Sequence, residues 1–141
     1  MAAGVFLLAP MVSARTYADP GHRFSFHVPA GATVEDFSST PGGIETLQIS
    51  RSPSVATQIT ISLWPATTTL TKEALLHSYP SLASESTMPS AVGGADGIEF
   101  KDSVNGDENV WFAHGGYLFV AVGEGSDPTL LSTIIQSWKF F

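Results

Sequence analysis

The alternation of apolar and polar residues predicts several strands in the first half of the chain. Within residues 23–28 apolar side chains alternate with polar ones, as expected of a strand with one buried face. A less regular alternation, rich in β-branched residues, recurs in three further segments: 33–37, 44–51 and 57–64. In segment 44–51 this alternation places Glu45 on the same face as Leu47 and Ile49.

A short helix is predicted in the middle of the chain. Thr71 can act as its N-cap, because a threonine hydroxyl can accept a hydrogen bond from a backbone N–H of the first turn. The helix should end near Tyr79, because Pro80 cannot supply the N–H that a continuing helix needs. Residues 81–94 are rich in Ser, Gly and Pro, and we expect a long loop there.

An antiparallel meander is predicted in the second half of the chain. Turns at residues 105–106 (Asn-Gly) and 114–116 (His-Gly-Gly) would connect its strands. The strands themselves are expected at 97–104, 110–113 and 117–122. Since the last of these is almost wholly apolar, we expect it to lie in the centre of the sheet with both faces covered.

A helix is strongly indicated near the C-terminus. Asp127 can serve as its N-cap and Pro128 as its first residue, and apolar residues then recur at helical spacing up to Trp138. Residues 139–141 are expected to add a short final strand. The order strands, helix, strands, helix predicts an α+β fold with an antiparallel sheet, not an alternating parallel one.

The first fourteen residues have the features of a secretory signal peptide. Residues 2–12 carry no charge, and the small residue Ala14 follows Val12 at the spacing of a cleavage site. We therefore expect residues 1–14 to be removed and residues 15–141 to form a single domain in the periplasm or outside the cell. No basic residue precedes the apolar run, which leaves open a start codon farther upstream. The alternative is an N-terminal strand, since the run is too short to span a membrane.

Composition excludes several classes of protein. The 141 residues include thirteen acidic and six basic side chains, a net charge of −7 that argues against binding nucleic acid. The chain has no cysteine, which excludes a disulfide scaffold, a thiol enzyme, a cysteine-ligated zinc site and a lipoprotein anchor. With 43% hydrophobic and only 13% charged residues, it is expected to be a folded domain, not a disordered one.

Two segments of the chain resemble PsbP-like proteins. Tyr17 followed by residues 23–31 (RFSFHVPAG) is similar to the opening of these domains, and residues 131–141 (LSTIIQSWKFF) are similar to their closing helix and strand. Ala32 departs from the pattern, because many members carry tryptophan there. The family includes the photosystem subunit PsbP, the Ran-binding nuclear import factor and small exported bacterial proteins. The resemblance implies an α/β/α sandwich with a central antiparallel sheet flanked by helices, and an accessory or binding role without catalysis.

Motifs for catalysis are incomplete in the sequence. Residues 123–126 (Gly-Glu-Gly-Ser) resemble a serine-nucleophile turn but have the wrong spacing, and no dinucleotide or phosphate loop is present. We therefore expect a non-catalytic binding or accessory protein of the cell envelope that needs no cofactor. The alternative is a small periplasmic hydrolase whose site is assembled from distant strands, with a histidine brought next to a carboxylate.

Histidines near the first strand raise the question of a metal site. His22 and His27 flank this strand and could join Asp19 around a metal ion. The competing interpretation is structural, with His22 in a turn and His27 as an ordinary strand residue. The sequence favours the structural interpretation, so no residue is assigned as a metal ligand.

Tryptophans provide the remaining candidates for binding. Trp111, together with Tyr117, is predicted to form a contact surface for a partner, whereas Trp138 falls on the apolar stripe of the last helix and should belong to the core. The expected partner is an unidentified protein of the envelope. We expect the domain itself to be a monomer, with neither a nucleic-acid partner nor a membrane span.

Overall fold

The computed structural model describes residues 15–37, 45–52, 55–124 and 129–141. The predictions for the signal peptide and for the helix cap at 127–128 lie outside these residues. The strands are β1 Arg15–Asp19, β2 Phe24–Val28, β3 Thr33–Asp36, β4 Glu45–Ser52, β5 Val55–Leu63, β6 Met88–Val92, β7 Ala95–Lys101, β8 Glu108–His114, β9 Tyr117–Glu124 and β10 Lys139–Phe140. The helices are α1 Lys72–Ser78, a 3-10 helix Pro80–Ser84 and α2 Thr129–Ser137.

The strands form two antiparallel sheets. The larger sheet has seven strands in the order β3-β4-β5-β9-β8-β7-β6, and the smaller one has the order β1-β2-β10. The meander β7-β8-β9 is confirmed, and the apolar strand β9 occupies the middle of the large sheet as predicted.

One face of the large sheet is covered by α2 and the small sheet. The aromatic rings of Phe24 and Trp138 stack with centroids 4.5 Å apart, and Phe119 meets Phe24 edge to face at 5.5 Å. Each such large apolar side chain contributes ~1.5–3 kcal/mol when fully buried. The buried residues of this cluster are Phe24, Phe26, Val28, Ala32, Leu47, Ile49, Ile59, Ile61, Val92, Val110, Phe112, Phe119, Ala121, Leu130, Leu131, Ile134 and Trp138.

The opposite face is covered by α1 and the 3-10 helix. The hydroxyl of Thr71 accepts a hydrogen bond from the backbone N–H of Ala74 at 3.1 Å, so the predicted N-cap is confirmed. The helix ends at Ser78, just before Pro80, as predicted. The buried residues on this side are Trp64, Leu70, Leu75, Leu82, Ile98, Phe100, Trp111 and Leu118.

The predicted layering is confirmed only in part. Antiparallel strands dominate the described residues, and the two α-helices are short. The three-stranded sheet shares the outer layer with α2, so this layer is not purely helical. The fold is therefore α+β with an antiparallel core, and the α/β/α description holds in outline.

The prediction of a long loop at residues 81–94 is wrong. This segment contains most of the 3-10 helix and all of β6, which forms one edge of the large sheet. Pro89 lies within β6, and an edge strand tolerates proline because one row of its N–H groups needs no partner in the sheet. Small and polar residues at an edge position produce little of the alternation by which strands are recognised.

The two hairpin turns of the meander have different outcomes. Residues 115–116 both have positive φ, 61° and 89°, and connect β8 to β9 as a two-residue turn, as predicted. The hairpin at residues 105–106 forms, but its connection runs from Asp102 to Asp107, where the side chain of Asp102 accepts two backbone N–H groups. Within this connection only Gly106 has a positive φ. The prediction of a tight two-residue Asn-Gly turn is therefore wrong.

Candidate functional site

Three ionisable side chains converge at one end of the molecule, where the two sheets meet. Asp19, His22 and Glu45 each offer a ligand atom, and these atoms all lie within 4.8 Å of one another. Their side chains are only 7–8% exposed. Polar groups buried this deeply are costly unless they are paired or bind a ligand, which makes this cluster the candidate site.

The β1–β2 turn positions Asp19 and His22. The backbone carbonyl of Asp19 accepts a hydrogen bond from the N–H of Arg23 at 2.8 Å, which closes the turn. One side-chain oxygen of Asp19, Oδ1, accepts the backbone N–H of His22 at 3.1 Å, a local bond that aspartate favours in turns. Arg23 completes the turn with a left-handed φ of 60°. The other carboxylate oxygen of Asp19 is thereby left to face the imidazole of His22.

The C-terminal segment holds this turn from outside. The backbone N–H of Phe141 donates to the carbonyl of Arg23 at 2.9 Å, and Nε of Arg23 donates to the carbonyl of Phe141 at 2.7 Å. The first of these hydrogen bonds extends the backbone pairing of β10 with β2 by one residue, and the second adds a side-chain contact. The turn that carries His22 is therefore held both by its own hydrogen bonds and by those to Phe141.

The large sheet supplies the rest of the site. Glu45 is the first residue of β4, at the sheet end where β3 finishes with Asp36 and β9 begins with Tyr117. Glu45 lies opposite Ile61 of β5, on the buried face of its strand. The ring of Tyr117 meets the imidazole of His22 edge to face, with centroids 4.6 Å apart. Tertiary packing thus joins residues from four strands and one turn.

The contacts within the cluster are close but do not form a complete hydrogen-bond network. Nδ1 of His22 lies 2.7 Å from Oε1 of Glu45 and 3.5 Å from Oδ2 of Asp19. Among the residues that the structure describes, both nitrogens of His22 and Oε1 of Glu45 are buried without a properly aligned hydrogen bond. Such atoms are rare in folded proteins and call for an explanation.

Burial and negative charge shift two pKa values at this site. Burial raises the pKa of Glu45 to about 8, helped by hydrogen bonds with the carboxyl groups of Asp19 and Asp36 and by their charges. Burial, followed by the charges of Asp19, Asp36 and Glu45, raises the pKa of Tyr17 to about 12. The site therefore favours a bound proton or another positive charge.

The sequence identified part of this cluster. The structure brings His22 and Asp19 together, as the metal hypothesis required, but it leaves His27 exposed on β2 and outside the cluster. Sequence reasoning missed Glu45 as the third member. The available indication was its position on an apolar face, next in alternation to Leu47.

The predicted binding tryptophan lies in the core. Trp111 is 8% exposed, packs on the α1 side of the sheet and donates its indole N–H to Oδ1 of Asn109 at 3.1 Å. Tyr117 is half-buried and packs on the opposite cluster, so the two residues do not share one surface. A partner contact through these residues stays a prediction, whereas the core position expected for Trp138 is confirmed.

Comparison with known proteins identifies the fold. No family model matches the sequence, and a search of curated proteins gives no match. Among solved structures, the chain is similar to cyanobacterial PsbP (CyanoP) from Synechocystis sp. PCC 6803, with a TM-score of 0.61 and 16% identity. That match covers 92% of this chain and 94% of CyanoP. The chain has a PsbP-like fold, as the sequence resemblance implied.

A larger protein contains a similar structure. A crystal structure from Bacteroides thetaiotaomicron VPI-5482 matches with a TM-score of 0.54 and 14% identity over 92% of this chain. The chain spans about half of that protein, 49% of its length. At these identities the two likenesses show the fold alone. In the described part of the chain, neither helix has the length and apolarity that crossing a membrane requires.

Proposed function

We propose that this protein is an exported, non-catalytic accessory domain of the cell envelope that binds a partner as a monomer. The observation that carries the proposal is the PsbP-like fold, which matches CyanoP over nearly the full length of both chains. Export is supported by the apolar segment 1–14 and its small residue Ala14. Cleavage after Ala14 would remove none of the residues that the structure describes.

The hydrolase alternative has one observation in its favour. The structure brings a histidine next to a distant carboxylate, since His22 and Glu45 lie 2.7 Å apart although they belong to different sheets. Both side chains are 7% exposed, and a substrate would have to reach them through the end of the sandwich. A hydrolytic histidine must also lie within hydrogen-bond reach of a nucleophile or water. The accessory function is therefore the better supported of the two.

Intact mass by cell fraction tests the proposed export. We expect the mass of residues 15–141 in the periplasm or the medium of the native host. A full-length product confined to the cytoplasm would contradict export. A smaller mass, from a chain whose N-terminus lies within β1, would contradict the cleavage position after Ala14 and would place processing inside the fold.

A hydrolase panel tests the non-catalytic part of the proposal. Residues 15–141 would be assayed on ester, phosphoester, glycoside and peptide substrates, beside the matched variant His22→Gln. We expect no turnover above background from either protein. Turnover by the parent chain that disappears in His22→Gln would overturn the accessory function in favour of the hydrolase.

A further inference from the structure

The cluster at the end of the sandwich combines one imidazole nitrogen with two carboxylates. Its members come from separate parts of the chain, with Asp19 at the end of β1, His22 in the β1–β2 turn and Glu45 at the start of β4. We propose that Asp19, His22 and Glu45 bind one divalent transition-metal ion of the zinc type. This inference goes beyond the proposed accessory function and does not depend on it.

The ligand atoms of the cluster lie close enough together to surround a common ion, all within 4.8 Å of one another. In a tetrahedral site, ligand bonds of ~2.0–2.2 Å place neighbouring ligand atoms roughly 3.3–3.6 Å apart. Nδ1 of His22 lies 3.5 Å from Oδ2 of Asp19, within this range, and 2.7 Å from Oε1 of Glu45, a pair that would have to separate by less than about 1 Å to bind one ion. The atoms of the closest pair, Nδ1 and Oε1, approach without the alignment of a hydrogen bond. Such an approach is expected where both atoms direct lone pairs at a third partner.

Burial provides the second, independent argument. The side chain of His22 is only 7% exposed, so more than nine-tenths of it is buried. Its Nδ1 lacks an aligned hydrogen-bond partner among the described residues. Burying such atoms without a partner opposes folding. A cation bound between them would satisfy Nδ1 and Oε1 together and would balance the charges of two buried carboxylates.

The donor set also selects the class of ion. Magnesium and calcium prefer oxygen ligands alone, whereas imidazole together with carboxylate suits zinc and its first-row neighbours. Three protein ligands are a common number for zinc when a further position is left to water or to another molecule. The carboxyl group of Asp36, which hydrogen-bonds with that of Glu45, would help to orient this ligand.

Zinc titration of matched variants tests this site. The purified chain would be treated with EDTA, dialysed and titrated with ZnCl2 by calorimetry, beside His22→Gln, Glu45→Gln and the control His27→Gln. We expect one zinc ion per chain and at least tenfold weaker binding in the first two variants. His27→Gln should bind as the parent does, because His27 is exposed and lies outside the cluster.

Two further measurements protect the test from ambiguity. Glu45→Gln preserves side-chain size and polarity, and its circular dichroism and unfolding curve show whether it is folded when binding is lost. Binding without saturation at one equivalent, or equal affinity in Glu45→Gln and the parent, would overturn the site. Equal competition by millimolar magnesium would overturn the assigned class of ion. None of these results bears on export or on the hydrolase panel, so the two proposals fail separately.

Discussion

Two glutamates are buried to nearly the same extent, yet their surroundings differ. Glu45 is 5% exposed and Glu85 is 9% exposed. The carboxylate of Glu85 accepts the backbone N–H of Ser103 at 3.0 Å through one oxygen and the hydroxyl of Ser103 at 3.1 Å through the other. Glu45 instead faces His22 and two further carboxyl groups, and its Oε1 has no aligned hydrogen bond among the described residues.

This difference separates a structural carboxylate from a functional candidate. Glu85 joins the end of the 3-10 helix to the β7–β8 connection, and both of its oxygens have donors. Its burial is therefore explained by the bonds it makes within the fold. The burial of Glu45 is not explained in this way. A buried carboxyl group alone thus does not identify a site, whereas a buried carboxyl oxygen without an aligned hydrogen bond does point to one.

Replacing Trp111 tests whether the α1 side of the sheet, on which Glu85 also lies, is structural. Trp111→Ala should lower the free energy of unfolding by ~3–5 kcal/mol, because it empties a large position in the core. Urea unfolding followed by circular dichroism measures this loss. Trp111→Phe is the matched control and should cost less, since it keeps one aromatic ring while losing part of the indole volume and the hydrogen bond to Asn109.

A small loss of stability in Trp111→Ala would change the interpretation of this side. It would mean that the indole contributes little to the packing of α1 against the sheet. The predicted partner surface at Trp111 would then regain support, and the purely structural assignment of the α1 side would be wrong.

The pH dependence of stability tests the unusual environment of Glu45. In metal-free protein the pKa of Glu45 is near the ordinary glutamate value of 4.5 in the unfolded chain, whereas burial raises the pKa to about 8 in the folded protein. Between these values the folded state binds more protons, so the contribution of Glu45 to stability should fall as pH rises. Below pH 4.5 this contribution is fully present, and above pH 8 it is lost.

Comparison with Glu45→Gln isolates this effect from other titrating groups. The variant cannot release a proton at this position, so its stability relative to the parent should increase steadily from pH 5 to 8 in the presence of EDTA. Thermal unfolding at each pH measures the difference. A constant difference across this range would show that Glu45 titrates normally and would remove the contrast with Glu85.

Removing the Glu85 carboxylate should have the smallest effect of the three. Glu85→Ala should cost about 1–2 kcal/mol, because Ser103 loses its acceptor but is exposed to water that can replace it. Chemical denaturation provides the measurement, with Ser103→Ala as a control that removes one of the two hydrogen bonds. We also expect Glu85→Ala to bind zinc as tightly as the parent. A changed affinity would show that the surroundings of Glu85 and the cluster at Glu45 are coupled.

The sequence predicted the elements whose stability depends on local periodicity. Strand β2 has a strict alternation and α2 has an apolar stripe, and both form with the expected buried residues. Strand β6 has no such pattern, because an edge position needs few buried side chains and tolerates Pro89. The pairing of β10 with β2 depends on contacts between opposite ends of the chain, which periodicity does not encode.

The candidate site was only partly predictable for a similar reason. Asp19 and His22 are three residues apart in a turn, so their proximity follows from local geometry. Glu45 reaches them only because the small sheet packs on the large one. An acidic residue on an apolar strand face was visible in the sequence, but its partner on another element was not.

The strand order has a consequence for how a partner can bind. The edges of the large sheet are β3, with four residues, and β6, with five residues that include Pro89. Short edge strands, acidic side chains such as Glu35 and a proline without an N–H all oppose the addition of a further strand. Recognition through backbone pairing, and self-association into extended sheets, is therefore disfavoured along both edges of this sheet. A partner that docks on these edges must be recognised by its fit to side chains.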